Sequence, residues 1–356
     1  MVDRNKIQAL RESMESQEDQ PRNFEDYLNR FAAPVGELVG EYIAHASHPD
    51  LERYLYAPMR AFNENAGKRH RPLITLAACR AVGGDIARAI PAACAIEHFH
   101  NAALIHDDIA DAAQLRRGKP CLYLSEGYGT AINIGDLGLV TLLCGPVLES
   151  EELDDFTKLR ILGELERMAT CTIEGQALDI GWARDGRYDI SLEDYLYMAT
   201  HKTAHYSGAV PLAVGAIAGN ASEAQIEALR SFGLDTGLAF QIQDDLLNLV
   251  GETGAKKKDF RSDITEGKRT MVAVHALQHS AQAPRLEEIL SSQTTDERTL
   301  QEAVDIMTEA GSLDFVRAYA HDMIDAAKER LVRAIEPSGA RDLLISMADW
   351  FVDRMI

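Results

Sequence analysis

"HNAALIHDDIAD", residues 100–111, opens on an apolar run and closes on three aspartates. Set on a helix at about 100° per residue, Asp111 lies roughly 40° from Asp107, with Asp108 beside them, so all three carboxylates share one face. The flanking "AALIH" is apolar, which makes this a mostly buried helix that carries its charge at one end. Three like charges on one face repel and call for a compensating cation. Carboxylate oxygens are hard ligands, and two or three of them, with waters and a phosphate, suit Mg²⁺. A second stretch repeats the device. "LAFQIQDDLLNLVGE" (238–252) places Asp244, Asp245 and Asn248 at i, i+1 and i+4 after another apolar helical run. Two such sets on buried helices are poor candidates for surface decoration. Facing each other, they would hold Mg²⁺ from both sides.

Helical periodicity extends outward from these stretches. "FEDYLNRFAAPVGELVGEYIAHA" (24–46), "RLEEILSS" (285–292) and "SLDFVRAYAHDMIDAAKERLVRAI" (312–335) repeat apolar residues at three and four. Alternating β-branched runs are scarce, and no Asn-Gly or Asp-Gly hairpin signal appears. The punctuation is short: "SHPD" (47–50), "VGGD" (82–85), "ARDGRYD" (183–189), "AGNAS" (218–222) and "GETGAKKK" (251–258). The expected architecture is one all-α domain over 23–356. Residues 1–22 read as a polar lead-in whose composition favours disorder.

The 356 residues carry 56 acidic and 36 basic side chains, a net charge of −20. That balance argues against nucleic acid as a partner. Five cysteines, Cys79, Cys94, Cys121, Cys144 and Cys171, show no CxxC spacing. They read as reduced, buried small hydrophobes rather than metal ligands or disulfides. The N-terminus has no apolar signal segment, and the apolar runs near 137–148 and 208–219 read as too short to span a bilayer. The expectation is a soluble, cytoplasmic protein with no integral membrane segment.

The basic residues are clustered. "NAGKRHRP" (65–72) holds Lys68, Arg69, His70 and Arg71, and "LRRGKP" (115–120) holds Arg116, Arg117 and Lys119. "AKKKDF" and "EGKRT" add Lys256, Lys257, Lys258, Lys268 and Arg269. Taken singly, each is a solvated loop. Beside helix ends, with backbone N–H groups adding to their charge, they suit phosphate oxygens. The aspartates then hold metal, and the arginines hold a diphosphate next to it.

In this combination the chain resembles the trans-prenyltransferases, the isoprenyl diphosphate synthases that include farnesyl and geranylgeranyl diphosphate synthases. The resemblance runs from about residue 30 to the C-terminus. It rests on "GKRHRP" (67–72), "IHDDIADAAQLRRGKP" (105–120), "EGQALDIGW" (174–182), "HKTA" (201–204), "GLAFQIQDDLLNL" (237–249) and "KDFRSDITEGKRT" (258–270), in that order. It implies an all-α fold around a central cavity, a homodimer, and Mg²⁺ as cofactor. It implies that Asp107 and Asp111 hold metal against an allylic diphosphate with Asp108 in support, and that Asp244 ligates metal with Asp245 in support. Lys68, Arg71, His100 and Arg117 match residues that bind isopentenyl diphosphate. Arg116, Lys202 and Lys258, with Lys268 nearby, match the clamp on the allylic diphosphate. Thr203 and Gln241 match residues beside the reacting carbons. Asn248 departs from the aspartate common at its position, and "AA" (112–113) from the usual polar pair.

The resemblance also implies the chemistry: ionisation of the allylic diphosphate, attack by the isopentenyl double bond, and loss of a proton to the departing diphosphate. His106 is then structural. Product length depends on the space below Asp107, where Ala103 and Ala102 are small. Phe99 is a candidate floor and Tyr206 a candidate wall, and geranylgeranyl diphosphate is the expected product. A class I terpene cyclase needs no isopentenyl site, and a non-catalytic subunit of a heteromeric synthase tends to lose an aspartate set or the clamp. This chain keeps all of these.

Overall fold

A computed structural model describes residues 3–16, 21–65, 67–250 and 260–353 of the chain. It is helical almost throughout, as the periodicity requires, and the sheet among the described residues is one two-residue hairpin. The chain divides into two compact units. One comprises Met1–Ala169, Val210–Arg230 and Val332–Met347; the other comprises Thr170–Ala209, Ser231–Leu331 and Ala348–Ile356.

In the first unit the helices His70–Ala81, Ile86–Ala110 and Val210–Ala218 form the interior. Val210–Ala218 is buried at every position, and His70–Ala81 is buried from Arg71 through Cys79. A helix with no polar face belongs in a core, which is what these two sequences dictate. Ile86–Ala110 is buried from Ala89 to Phe99 and carries its carboxylates at its C-terminal end. The helix stops at the third aspartate: Asp111 is its C-cap, its N–H bonded to the Asp107 carbonyl at 2.9 Å.

Three expectations change. The polar lead-in contains a helix, Arg4–Glu15, because Leu10 and Met14, one turn apart, are buried and Met14 Sδ meets the Tyr27 hydroxyl. The helix expected over 24–46 ends at Glu41, with Tyr42 as its cap. The apolar run at 137–148 belongs to a longer continuous helical stretch, Tyr128–Leu148, which by length and composition alone is able to cross a bilayer. Its inward side, including Ala131, Ile134, Leu142 and Val147, is buried within the unit. Tyr128, Ile132, Val140 and Leu148 form an exposed apolar stripe on it.

In the second unit Leu192–Ala199 opens on a capping box: Ser191 Oγ accepts the Asp194 N–H, and Asp194 Oδ2 accepts the Ser191 N–H at 2.8 Å. It runs directly into Thr200–Ala209, a wider π-helical segment. Gly175 lets helix Asp155–Arg184 come against that segment. A Cβ at Gly175 would lie 2.1 Å from the Lys202 backbone nitrogen. Phe240 and Phe351, with ring centroids 4.8 Å apart, join the helices Glu223–Val250 and Gly339–Asp353. The turn "GETGAKKK", with Lys256, Lys257 and Lys258, lies outside the described residues.

Candidate active site

In the first unit the end of helix Ile86–Ala110 delivers the three aspartates into unlike environments. Asp108 is 1% exposed, whereas Asp107 and Asp111 are half-buried. Arg116 Nε donates to Asp108 Oδ1 at 2.8 Å, its Nη2 meets the same oxygen, and Nη2 lies 3.8 Å from Asp107 Oδ2. Arg116 is carried by an antiparallel hairpin in which Leu115 pairs with Pro120 and Arg116 with Lys119. The expected loop at 115–120 is therefore a tight turn. Its two central residues, Arg117 at φ 52° and Gly118 at φ 78°, take the left-handed conformation that Asn-Gly more often supplies. That turn sends successive arginines apart: Arg116 to Asp108, and Arg117 Nη1 to the Asn65 carbonyl at 2.9 Å.

The "GKRHRP" stretch is anchored by Arg69, which sits at φ 54° as the N-cap of helix His70–Ala81. Arg69 is buried; its Nη1 donates to Glu97 Oε1 at 2.6 Å and its Nη2 to the Asn63 carbonyl. Lys68 is left exposed, and Arg71 is buried. His100 is held well below the usual imidazole range, first by burial and then by Arg71, His70, Arg117 and Arg116. It is a neutral imidazole among cations, a field that an anion relieves. His106, expected to be structural, meets the Ile132 carbonyl at 3.2 Å through Nε2.

In the second unit a cavity of about 70 Å³ is lined by Asp179, Lys202, Thr203, Gln241, Asp245 and Lys268, among others. It has room for water molecules. Thr203 Oγ1 donates to Gln241 Oε1 at 2.6 Å, Gln241 Nε2 donates to Asp245 Oδ1 at 2.7 Å, and Tyr195 OH donates to Asp245 Oδ2 at 2.9 Å. Both oxygens of Asp245 are thus engaged. Burial, with Asp263 nearby, pushes its carboxyl up to about 8. Lys202 Nζ pairs with Asp179. Burial opposes charge on Asp179, but Lys202, with Lys268 and Arg269, outweighs it and lowers the pKa. Lys268 Nζ lies 2.6 Å from Glu266 Oε2 and 3.8 Å from Asp263 Oδ1. Asn248 Nδ2 donates to Ser262 Oγ at 3.2 Å and Asn248 Oδ1 accepts the Asp263 N–H at 3.3 Å, so this amide holds the turn that leads to Lys268. Asp244 is half-buried. Lys258 lies outside the described residues.

The two supporting aspartates, Asp108 and Asp245, are therefore buried and bonded to protein donors, whereas Asp107, Asp111 and Asp244 are half-buried. Those three offer the hard carboxylate oxygens Mg²⁺ takes. Within the first unit, Asp108 Oδ2 is buried with no hydrogen-bond partner. Of the chain-length candidates, Phe99 and Ala102 are buried to 1% and 0%, which leaves no water-sized opening against either. Ala103 and Tyr206 are half-buried. Sequence reasoning gave no role to Glu97, Tyr195, Asp179 or Asp263. Asp179 and Asp263 lay inside quoted motifs; Glu97 and Tyr195 carried no local signal.

The model of the polyprenyl synthetase family matches residues 52–307. The chain belongs to the polyprenyl synthetase family. It is a trans-prenyltransferase with the isoprenoid synthase fold. The short chain isoprenyl diphosphate synthase of Methanothermobacter thermautotrophicus is 35% identical to it over 329 residues, 92% of this chain and 98% of that protein. The geranylgeranyl pyrophosphate synthetase of Pyrococcus horikoshii superposes with a TM-score of 0.84 at 33% identity, covering 93% of this chain and 99% of that one. A geranylgeranyl pyrophosphate synthase of Corynebacterium glutamicum, solved with isoprenyl diphosphate and magnesium, superposes with a TM-score of 0.78 at 27% identity, covering 94% and 99%.

Proposed function

We propose that this prenyltransferase joins isopentenyl diphosphate head to tail to an allylic diphosphate with Mg²⁺ as cofactor, and that geranylgeranyl diphosphate is its product. The observation that carries the reading is His100, kept neutral first by burial and then by Arg71, His70, Arg117 and Arg116. A cationic field of this kind on a half-buried imidazole is a receptor for a polyanion. Lys68, Arg71, His100 and Arg117 take isopentenyl diphosphate. Arg116, Lys202, Lys258 and Lys268 take the allylic diphosphate. When held by Asp107, Asp111 and Asp244, Mg²⁺ neutralises the leaving diphosphate and so lowers the barrier to ionisation.

The protein's own groups supply the rest. Arg116 and Lys202 stabilise charge as it develops on the leaving group. Asp108 and Asp245 act as positioning residues, the first through Arg116 and the second through Gln241. The bond from Thr203 to Gln241 fixes both side chains beside the reacting carbons. The proton goes to departing diphosphate, since His106 is occupied with the Ile132 carbonyl. The relatives' names and the small, half-buried Ala103 support a geranylgeranyl product. Purified protein incubated with isopentenyl diphosphate, each allylic primer and Mg²⁺, with product lengths resolved, tests this. Geranylgeranyl diphosphate should accumulate; farnesyl or longer products as the main species would overturn the assignment of length.

The exposed apolar stripe Tyr128, Ile132, Val140 and Leu148, with Phe156 and Leu159 each about 70% exposed, supports a homodimer. Sedimentation of the detergent-free protein as a dimer is the expected result. A cytoplasmic location accords with the absence of any disulfide among the described residues.

A further inference from the structure

Cys171, Glu174 and His201 have no role among the groups assigned above. One thiol sulfur, one carboxylate oxygen and one imidazole nitrogen come within 4.8 Å of one another, all in the second unit. Cys171 and Glu174 are three residues apart on helix Asp155–Arg184, which puts them on one face. Gly175, immediately after Glu174, is where that helix meets the backbone of His201 and Lys202: a Cβ there would lie 2.8 Å from the His201 carbonyl carbon. The juxtaposition is therefore fixed by main-chain packing, not by the chance reach of surface side chains.

His201 is also oriented. Its Nδ1 lies 2.9 Å from the Tyr197 carbonyl, and its ring stacks on Tyr197 with centroids 4.0 Å apart and planes at 26°. A carbonyl only accepts, so Nδ1 carries the proton and Nε2 keeps the lone pair. A backbone carbonyl that fixes tautomer and ring plane in this way is the usual companion of a metal-bound histidine.

We propose that Cys171, Glu174 and His201 form a three-ligand site for a zinc-class divalent ion, chemically separate from the Mg²⁺ carboxylates. Thiolate and imidazole select zinc-like ions, whereas an all-oxygen set selects Mg²⁺. Three protein ligands leave the fourth tetrahedral position to water. Cys171 and His201 are half-buried and Glu174 is exposed, so the ion has an entry path. Reading all five cysteines as inert is thereby revised at Cys171. The ion would tie helix Asp155–Arg184 to the segment Thr200–Ala209 one residue from Lys202.

The test uses full-length protein freed of metal by a chelator and titrated with Co²⁺ and then Zn²⁺. Cobalt should produce a thiolate-to-metal charge-transfer band at one ion per chain, and zinc should displace it. Oxygen ligands alone give no such band, so occupation of the aspartate sets does not imitate it. Zinc should raise the melting temperature of the wild type. Cys171→Ser should abolish the band and weaken zinc binding at least about tenfold. His201→Asn should weaken zinc binding similarly, while Cys144→Ser should leave both readouts unchanged. No thiolate band in the wild type, or a band that survives Cys171→Ser, overturns the proposal. Should Cys171→Ser misfold, the His201→Asn titration decides by itself: unchanged zinc affinity rejects the site.

Discussion

Arg116 reaches back eight residues from its hairpin to the buried carboxylate of Asp108 and closes on it through Nε and Nη2. The abrupt change from negative to positive charge in "IHDDIADAAQLRRGKP" thus has a structural cause. One aspartate of the three is buried, and the nearest arginine compensates it.

The two partners of that pair are unequal, and their deletion should show it. Arg116→Ala leaves the Asp108 carboxylate buried and uncompensated, which costs about 3–5 kcal/mol. Asp108→Ala leaves Arg116, whose side chain is 30% exposed, with access to water, which costs about 1 kcal/mol. Urea unfolding of both variants at neutral pH measures the difference. Equal losses, or a larger loss for Asp108→Ala, would contradict the asymmetry.

Gly175→Ala should force apart the two backbones it joins. An overpacked contact costs about 1–3 kcal/mol, and because the clash falls on the Lys202 nitrogen, KM for the allylic substrate should rise as well. Gly163 is the control: it lies on the same helix with nothing within 4 Å of a built Cβ. Gly163→Ala should stabilise by about 0.5–1 kcal/mol through helix propensity. Thermal unfolding and steady-state kinetics of the pair check both effects; matched behaviour of the two variants would refute the close approach.

His98 should make the fold sensitive to acid. Burial, and then Arg69, lower its pKa from 6.5 to about 3. Between those values the unfolded chain takes up a proton that the folded chain refuses. Its contribution is fully present above pH 6.5 and is lost as pH falls. At pH 4.5, two units below the unfolded value, the loss is about 3 kcal/mol. Unfolding free energies from pH 7 to 4.5, compared between wild type and His98→Gln, isolate this group. A variant as acid-sensitive as the wild type would assign the slope to other residues.

The helices and the aspartate sets were legible in the sequence because helical period is a local property. Asp107 and Asp111 are one turn apart, and the apolar flanks declare the burial. What was not legible depends on partners distant in the chain. Glu97 is one acid among many until the fold brings Arg69 to it from 28 residues away, and Tyr195 meets Asp245 from 50 away. The hairpin at 115–120 was missed because Arg117 occupies the left-handed turn position where asparagine is the usual signal. Tyr206 follows Lys202 by four residues, which is one turn of an α-helix, but Thr200–Ala209 is π-helical and its residues are spaced differently around the axis. The first helix escaped because two buried residues, Leu10 and Met14, are a weak pattern in a polar segment.

The central claim is metal-dependent condensation carried by two aspartate sets and a cationic receptor. It is tested most directly by following isopentenyl diphosphate incorporation into a longer prenyl diphosphate by wild type, Asp107→Ala and Asp244→Ala, each with Mg²⁺ and with EDTA. The account predicts product only from wild type with Mg²⁺, with both variants reduced by at least about a hundredfold, on the scale of losing an electrostatic contact to the transition state. Wild-type turnover undiminished in EDTA, or either variant as active as the wild type, would contradict it.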